Sequence, residues 1–219
     1  MPKPPLLSRS LRSLQRAQRA CTRCADAGYI TRAHPVFSGS ADQRILLVGQ
    51  APGPVEHDQT RPFAGRAGRQ LMRWLIRAGF SDEDDVRDRI YMTAMTTCFP
   101  GRRPDGAGDR RPSAAEVGLC APWLDGVLAT LRPRLIIPIG SLALERFLPG
   151  RRLDDVIGAV YDESGSPLAG TPEHVPVLVP LPHPSGQSRW LNDPARVALL
   201  DRAIVQLRAM VAWAGTGGG

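Results

Sequence analysis

The sequence predicts an α/β protein, a three-layer α/β/α sandwich around a central, mostly parallel four-stranded sheet. Three observations predict it. Four short apolar runs, "RILLVG" (44–49), "IYMTAMT" (90–96), "RLIIPIG" (134–140) and "VPVLVPL" (175–181), have the length of strands and not of helices. Helical patterns stand between and after them, at 65–79, 113–131, 141–148 and 193–213. The strand runs are apolar throughout instead of alternating, as expected of strands covered on both faces by crossover helices.

Each element has a local reason. "LLSRSLRSLQRAQRA" (6–20) places Leu at helical spacing with Arg on the other face, a basic amphipathic helix that ends just before Cys21. The first strand runs into a Gly/Pro loop, and "GRAGRQLMRWLIRAG" then reads as a helix closed by Gly79. Residues 100–113 form a Gly/Pro loop with four arginines, and 162–174 read as a flexible surface insertion. The expected organisation is one domain over 1–213, with 1–14 as a basic arm and 214–219 as a disordered tail. In open parallel sheets the ligand lies beyond the carboxyl ends of the strands, so the informative loops follow Val48, Thr96, Ile139 and Leu181.

Composition narrows the function. The chain has 219 residues, a formal charge of +7 and 42% hydrophobic residues, enough for a proper core. Lys3 is its one lysine, so nearly all the positive charge is Arg, the fork-shaped phosphate ligand, and a polyanionic partner is expected. No run resembles a membrane span or a signal-peptide core, and a cytoplasmic location is expected. In a reducing compartment the four cysteines are free, metal-bound or catalytic sooner than paired as disulfides.

Three groups of residues carry chemistry. Cys21 and Cys24 form a close pair, with Cys98 after a strand and Cys120 inside a helix; four thiolates suit zinc or an iron–sulfur cluster equally by ligand type. The loop "GQAPGPVEHDQTRPFAG" sets Glu56, His57, Asp58 and Phe63 at the mouth of a buried strand, and it lacks the Gly-Lys pair of a nucleotide-triphosphate loop. "LPHPSGQSRW" (181–190) holds His183 between two prolines, followed by Ser185 and Gly186.

Together these groups resemble the uracil-DNA glycosylase superfamily, most closely its iron–sulfur branch, family 4. That branch carries a Gly-Glu-Ala-Pro-Gly loop running to Arg-Pro-Phe-x-Gly, four cysteines in this order around an Arg/Pro loop, and, in related branches, a closing His-Pro-Ser motif. The resemblance covers about residues 15–210. It implies an enzyme that flips uracil or a related deaminated base out of DNA and cuts its bond to deoxyribose. Glu56 matches the acidic position that activates water and stabilises the sugar cation, and His183 the histidine that hydrogen-bonds the leaving base. Phe63 matches the stacking ring, with Gly49, Gln50, Ala51, Gly53 and Ala94 around the base. Cys21, Cys24, Cys98 and Cys120 match the ligands of one structural [4Fe-4S] cluster. Ser185, Gln187, Ser188, Arg189 and Trp190 match the minor-groove loop, where Gln187, Arg189 or Trp190 is the wedge. Arg102, Arg103, Arg110 and Arg111 are expected to hold phosphates.

Several positions depart from the family. Ala94 stands where family 4 has an Asn that reads uracil's edge, so selectivity is expected to relax toward other deaminated bases. Gln50 replaces a Glu and His57 an acidic residue. The His-containing insertion by which one branch traps its product is missing, and Lys3 is a poor Schiff-base amine, so turnover to a plain abasic site is expected. A monomer is the default, and a catalytically impaired damage-binding protein of the same fold is the alternative reading.

Overall fold

The computed structural model describes residues 10–185 and 189–215. In chain order its elements are α1 (Leu11–Arg19), α2 (Arg23–Asp26), β1 (Ile45–Gly49), α3 (Pro54–Gln59), α4 (Arg66–Arg77), α5 (Glu83–Arg89), β2 (Ile90–Ala94), α6 (Ala114–Leu131), β3 (Leu135–Pro138), α7 (Gly140–Phe147), α8 (Leu153–Val156), β4 (Val160–Tyr161), β5 (Pro167–Leu168), β6 (Val177–Leu178), a 3-10 turn (Arg189–Asn192) and α9 (Pro194–Gly215). The sheet order is β2-β1-β3-β6-β4-β5. The first four are parallel neighbours, with Gly49 level with Ala94 and Val48 level with Pro138.

Alternate residues of one strand serve two cores. Ile45 and Leu47 of β1 face a layer built from α4, α5 and α9, including Leu71, Trp74, Leu75, Ile204 and Leu207. Leu46 and Val48 face the opposite layer, with Leu14 of α1, Trp123, Leu124 and Val127 of α6 and Leu144 of α7. This two-sided burial explains why β1 reads as continuous apolar sequence, and it is the three-layer arrangement expected.

The sheet has six strands and not four. Beyond β6 the order continues antiparallel into a hairpin, Val160 opposite Leu168 and Tyr161 opposite Pro167. The segment read as a flexible insertion thus contains β5. A tight turn makes this possible: the Asp162 carboxylate accepts from Ser166 N–H at 2.9 Å, and Gly165 adopts φ +84°. The fourth predicted strand is shorter than its apolar run, because Pro176, Pro180 and Pro182 have no N–H for a ladder.

Helix boundaries follow local chemistry. Ser10 caps α1 by accepting from Ser13 N–H, and Ser113 caps α6 in a reciprocal box with Glu116. By length and composition α6 is apolar enough to cross a membrane. Here Cys120, Trp123, Leu124, Val127 and Leu131 of that helix are buried in the core. The basic arm before Ser10 and the tail after Gly215 lie outside the described residues.

Candidate active site and cluster cavity

The carboxyl end of β1 feeds the loop that the sequence singles out. Gly53 starts the short helix α3, Pro54 takes its first position, and Glu56 falls at the third. From there the Glu56 carboxylate ties two backbone segments together. Its Oε2 accepts from Gly53 N–H at 3.1 Å and its Oε1 from Gly65 N–H at 2.7 Å. Gly53 and Gly65 have ordinary negative φ, so neither is needed for a special backbone shape. A side chain at Gly53 would come within 2.9 Å of Glu56 Oε2 and 3.2 Å of Asp109 Oδ2, and one at Gly65 within 3.1 Å of Glu56 Oε1. A side chain at either position would therefore crowd these carboxylates.

Asp109 was not singled out by the sequence. It comes from the Arg/Pro loop, which is a hairpin: Arg102 bridges Asp109, Arg103 N–H donates to the Gly108 carbonyl and Arg110 N–H to that of Gly101. Burial raises the Asp109 pKa, the Arg102 charge opposes this, and the Glu56 charge adds to the rise.

Phe63 has the left-handed φ of +55°, uncommon for a bulky residue. Its ring lies over Gly49, where a side chain would meet Cζ at 2.9 Å. Ala94, buried and level with Gly49 on β2, completes this floor. Gln50 and Ala51 follow at the strand end, and the Gln50 carbonyl accepts from Thr96 N–H at 3.2 Å.

His183 reaches the same edge of the sheet through β3. Ile139 bridges Leu181 and Gly140 N–H donates to the Leu181 carbonyl, so the His183 ring packs on Gly140, whose φ is +76° and whose side chain would meet the ring at 3.4 Å. Ser185 N–H donates to His183 Nδ1 at 3.3 Å and Ser185 Oγ lies 3.0 Å from it. A ring nitrogen that accepts a backbone N–H carries no proton itself, so the neutral ring bears its proton on Nε2. Burial lowers the His183 pKa, which favours that neutral form.

Trp190 does not match the role of a wedge. It is 9% exposed, its Nε1–H donates to Asp154 Oδ1 at 2.6 Å, and Arg196 lies on its ring while also binding Asp154. It is the anchor of the loop that follows His183. Gln187 and Ser188 lie outside the described residues, and of Arg189 only the backbone is described.

The four arginines divide in the same way. Arg102, Arg103 and Arg111 are exposed, Arg103 paired with Asp105 at 2.7 Å. Arg110 instead turns inward, against the expectation of a phosphate ligand. It grips Glu116 with two bonds of 2.6 and 2.7 Å and donates to the carbonyls of Pro100 and Tyr29. Glu116 is 2% exposed, and the Arg110 hydrogen bonds hold its pKa at about 2.

Cys21, Cys24, Cys98 and Cys120 line one cavity, with Thr96, Thr97 and Glu116 also on its wall. Burial first, then the neighbouring thiols, pushes Cys24 up to about 11 and Cys98 to about 12. Thiolates there call for a positive body among them. Among the described residues no three metal-binding side chains gather tightly enough for a single ion. The wall also offers donors to sulfur: Trp123 Nε1–H reaches Cys21 Sγ at 3.2 Å, Thr97 Oγ1 lies 3.7 Å from Cys120 Sγ, and the buried Thr96 hydroxyl has no partner. By ligand type and by these donors the residues present fit an iron–sulfur cluster.

The family model described as "Uracil DNA glycosylase superfamily" matches residues 36–208. The chain is 32% identical over 156 residues to a Type-4 uracil-DNA glycosylase of Pyrobaculum aerophilum, covering 69% of this chain and 74% of the relative. A Type-4 uracil-DNA glycosylase of Thermotoga maritima is 30% identical over 136 residues, 62% of this chain and 64% of its own length. A Type-5 uracil-DNA glycosylase of Pyrobaculum aerophilum is 33% identical over 115 residues, 48% of each chain.

Proposed function

Because this chain belongs to the uracil DNA glycosylase superfamily, we propose that it is a monofunctional DNA glycosylase that hydrolyses the bond between deoxyribose and uracil or a related deaminated base, in base excision repair. The observation that carries this reading is the stacking seat, with Phe63 laid over Gly49 beside Ala94 at the carboxyl ends of β1 and β2. A flipped base lies flat on that ring. The C1′–N bond breaks with both electrons leaving on the base, and His183 Nε2–H donates to the oxygen on which that charge gathers. The sugar, left cation-like, faces the carboxylates of Glu56 and Asp109. A water oxygen bonds to C1′ and its proton passes to a carboxylate. Glu56 is the carboxylate assigned to that role, with Asp109 sharing the space above Gly53 beside it.

Lys3, which lies outside the described residues, is the chain's one lysine and a poor Schiff-base amine, so the product we propose is a plain abasic site. Cys21, Cys24, Cys98 and Cys120 would hold a structural [4Fe-4S] cluster. When bound, it supplies cross-linking between α1–α2, the end of β2 and α6, not redox chemistry. Ser185, with Gln187 and Ser188 beyond it, and the exposed Arg102, Arg103 and Arg111 contact the DNA backbone. Ala94 offers no amide to the base, so deaminated purines are accepted alongside uracil.

The test is excision from oligonucleotides carrying uracil, hypoxanthine or xanthine, followed by alkali, with Glu56→Gln and Ala94→Asn beside the natural chain. Alkali-dependent cleavage that vanishes in Glu56→Gln and narrows toward uracil in Ala94→Asn is the expected result. Bound DNA without cleavage of any substrate would leave a damage-binding protein instead.

A further inference from the structure

The strain at Phe63 needs a restraint, and the restraint lies outside the pocket. Rotation about the Phe63 N–Cα bond turns the Pro62–Phe63 peptide plane, so whatever fixes that plane fixes the +55° φ. Arg87 Nη1 donates to the Pro62 carbonyl of this plane at 3.1 Å. The guanidinium is itself immobilised, because its Nε donates to Glu83 Oε1 at 2.9 Å, Glu83 also pairs with Arg61 at 2.9 Å, and the Arg87 side chain is only 15% exposed. On the other side of Phe63 its carbonyl is pressed against Gly68, where any side chain would overlap it. From that backbone the ring lies over Gly49.

We propose that Arg87 is a positioning residue for base excision, holding Phe63 in its left-handed conformation so that the ring stays flat against the flipped base. The inference rests on the glycosylase reading and adds a specific dependence to it. Without the Arg87 clamp the peptide plane relaxes toward negative φ and the ring leaves its seat. A displacement near 1 Å in a reacting complex costs on the order of 100-fold in rate. The loss expected here is about 10- to 100-fold, because Gly68 still confines the carbonyl side.

A double-mutant cycle tests this, using single-turnover excision of uracil from single-stranded DNA by the full chain. Arg87→Gln should slow excision about 10-fold or more with affinity for undamaged DNA unchanged, and Arg87→Lys should recover part of the rate. In a Phe63→Ala background Arg87→Gln should have no further effect, since the ring it positions is gone. A merely structural arginine would slow both backgrounds equally, and that additivity would overturn the proposal. An undiminished rate in Arg87→Gln would overturn it too. Loss of the cluster's visible absorbance in Arg87→Gln would show misfolding, and Arg87→Lys would then decide through the same cycle. If the natural chain excises no base at all, the glycosylase reading fails, and this inference with it.

Discussion

Replacing Arg110 by Met separates a strut from a phosphate ligand, two roles that the sequence "GDRRPS" leaves indistinguishable. Met keeps most of the aliphatic stem and removes the guanidinium, which bonds both Glu116 oxygens and the carbonyls of Pro100 and Tyr29. Glu116 is then left almost wholly buried and without its counter-charge. Breaking a buried pair by removing one partner costs about 3–5 kcal/mol, so urea denaturation should show a loss in that range. The pH dependence has a definite sign. Glu116 is held at about 2 against an ordinary 4.5, so the pair's contribution is complete above pH 4.5 and lost as the pH falls through about 2. In Arg110→Met the main cause of that depression is gone, and the acid transition should move to higher pH. DNA affinity measured against salt should keep its slope, since Arg110 touches no phosphate. Arg102→Ala or Arg111→Ala should each lower the slope by about 0.7–0.9 without changing stability. If Arg110→Met lowers the salt slope by the same amount and leaves the urea midpoint unmoved, Arg110 is a phosphate ligand and this reasoning fails.

Three further outcomes are expected. Trp190→Phe removes the charge-assisted bond to Asp154 and should cost about 1.5–3 kcal/mol of stability by urea titration, while affinity for DNA with an abasic site stays within about twofold, as suits an anchor and not a wedge. His183→Asn should slow excision by about 100-fold or more in single turnover. Because burial lowers the His183 pKa, folding stability should also fall as pH drops below the ordinary histidine value near 6.5, where the unfolded ring takes a proton that the folded ring resists, and this acid sensitivity should shrink in His183→Asn. Thr96→Val removes the unpartnered hydroxyl from the cysteine cavity and should shift the reduction potential of the bound cluster to more negative values in voltammetry, because donors near sulfur favour the more negative reduced state.

The parallel core was legible because its physics is local. Ile45 to Val48 must be apolar on both faces, and a run of that kind between helical patterns has few other solutions. The hairpin of β4 and β5 was not, since two-residue strands have no periodicity and only the Asp162–Gly165 turn announces them. Glu56, Phe63 and His183 could be singled out because each stands in a loop after a strand, and the structure brings these loops to one edge of the sheet, while their roles rest on the family resemblance. Asp109 could not, because its position depends on a fold-back of residues 101–110 that no period encodes, and its signal is indirect: a glycine at 53 whose φ does not require glycine. Trp190 was assigned to DNA because its loop resembles the minor-groove loop of the family, and Arg110 because it stands in the Arg/Pro loop between two cysteines. Their actual partners, Asp154 and Glu116, differ in sequence distance: Asp154 is 36 residues from Trp190, whereas Glu116 lies only six from Arg110 in the capping box of α6.

That last pair also links the cysteine cavity to the loop that carries Asp109. A Gly- and Pro-rich segment such as 100–113, anchored only by its own hairpin bonds, would sample many orientations relative to α3. Two restraints prevent this. Cys98 and Cys120 bracket the segment and meet at one cavity, and Arg110 locks its return strand to Glu116, one helical turn from Cys120. Asp109 is the residue next to that lock, and its carboxylate shares the space above Gly53 with Glu56. Like charges so placed repel; the Arg102 charge offsets part of this, and the Arg110–Glu116 lock holds the loop that carries Asp109. If these cysteines hold the proposed cluster, its removal by a chelator should first loosen the mount of Asp109 beside Glu56, and excision should be lost before the far-ultraviolet circular dichroism of the sheet changes.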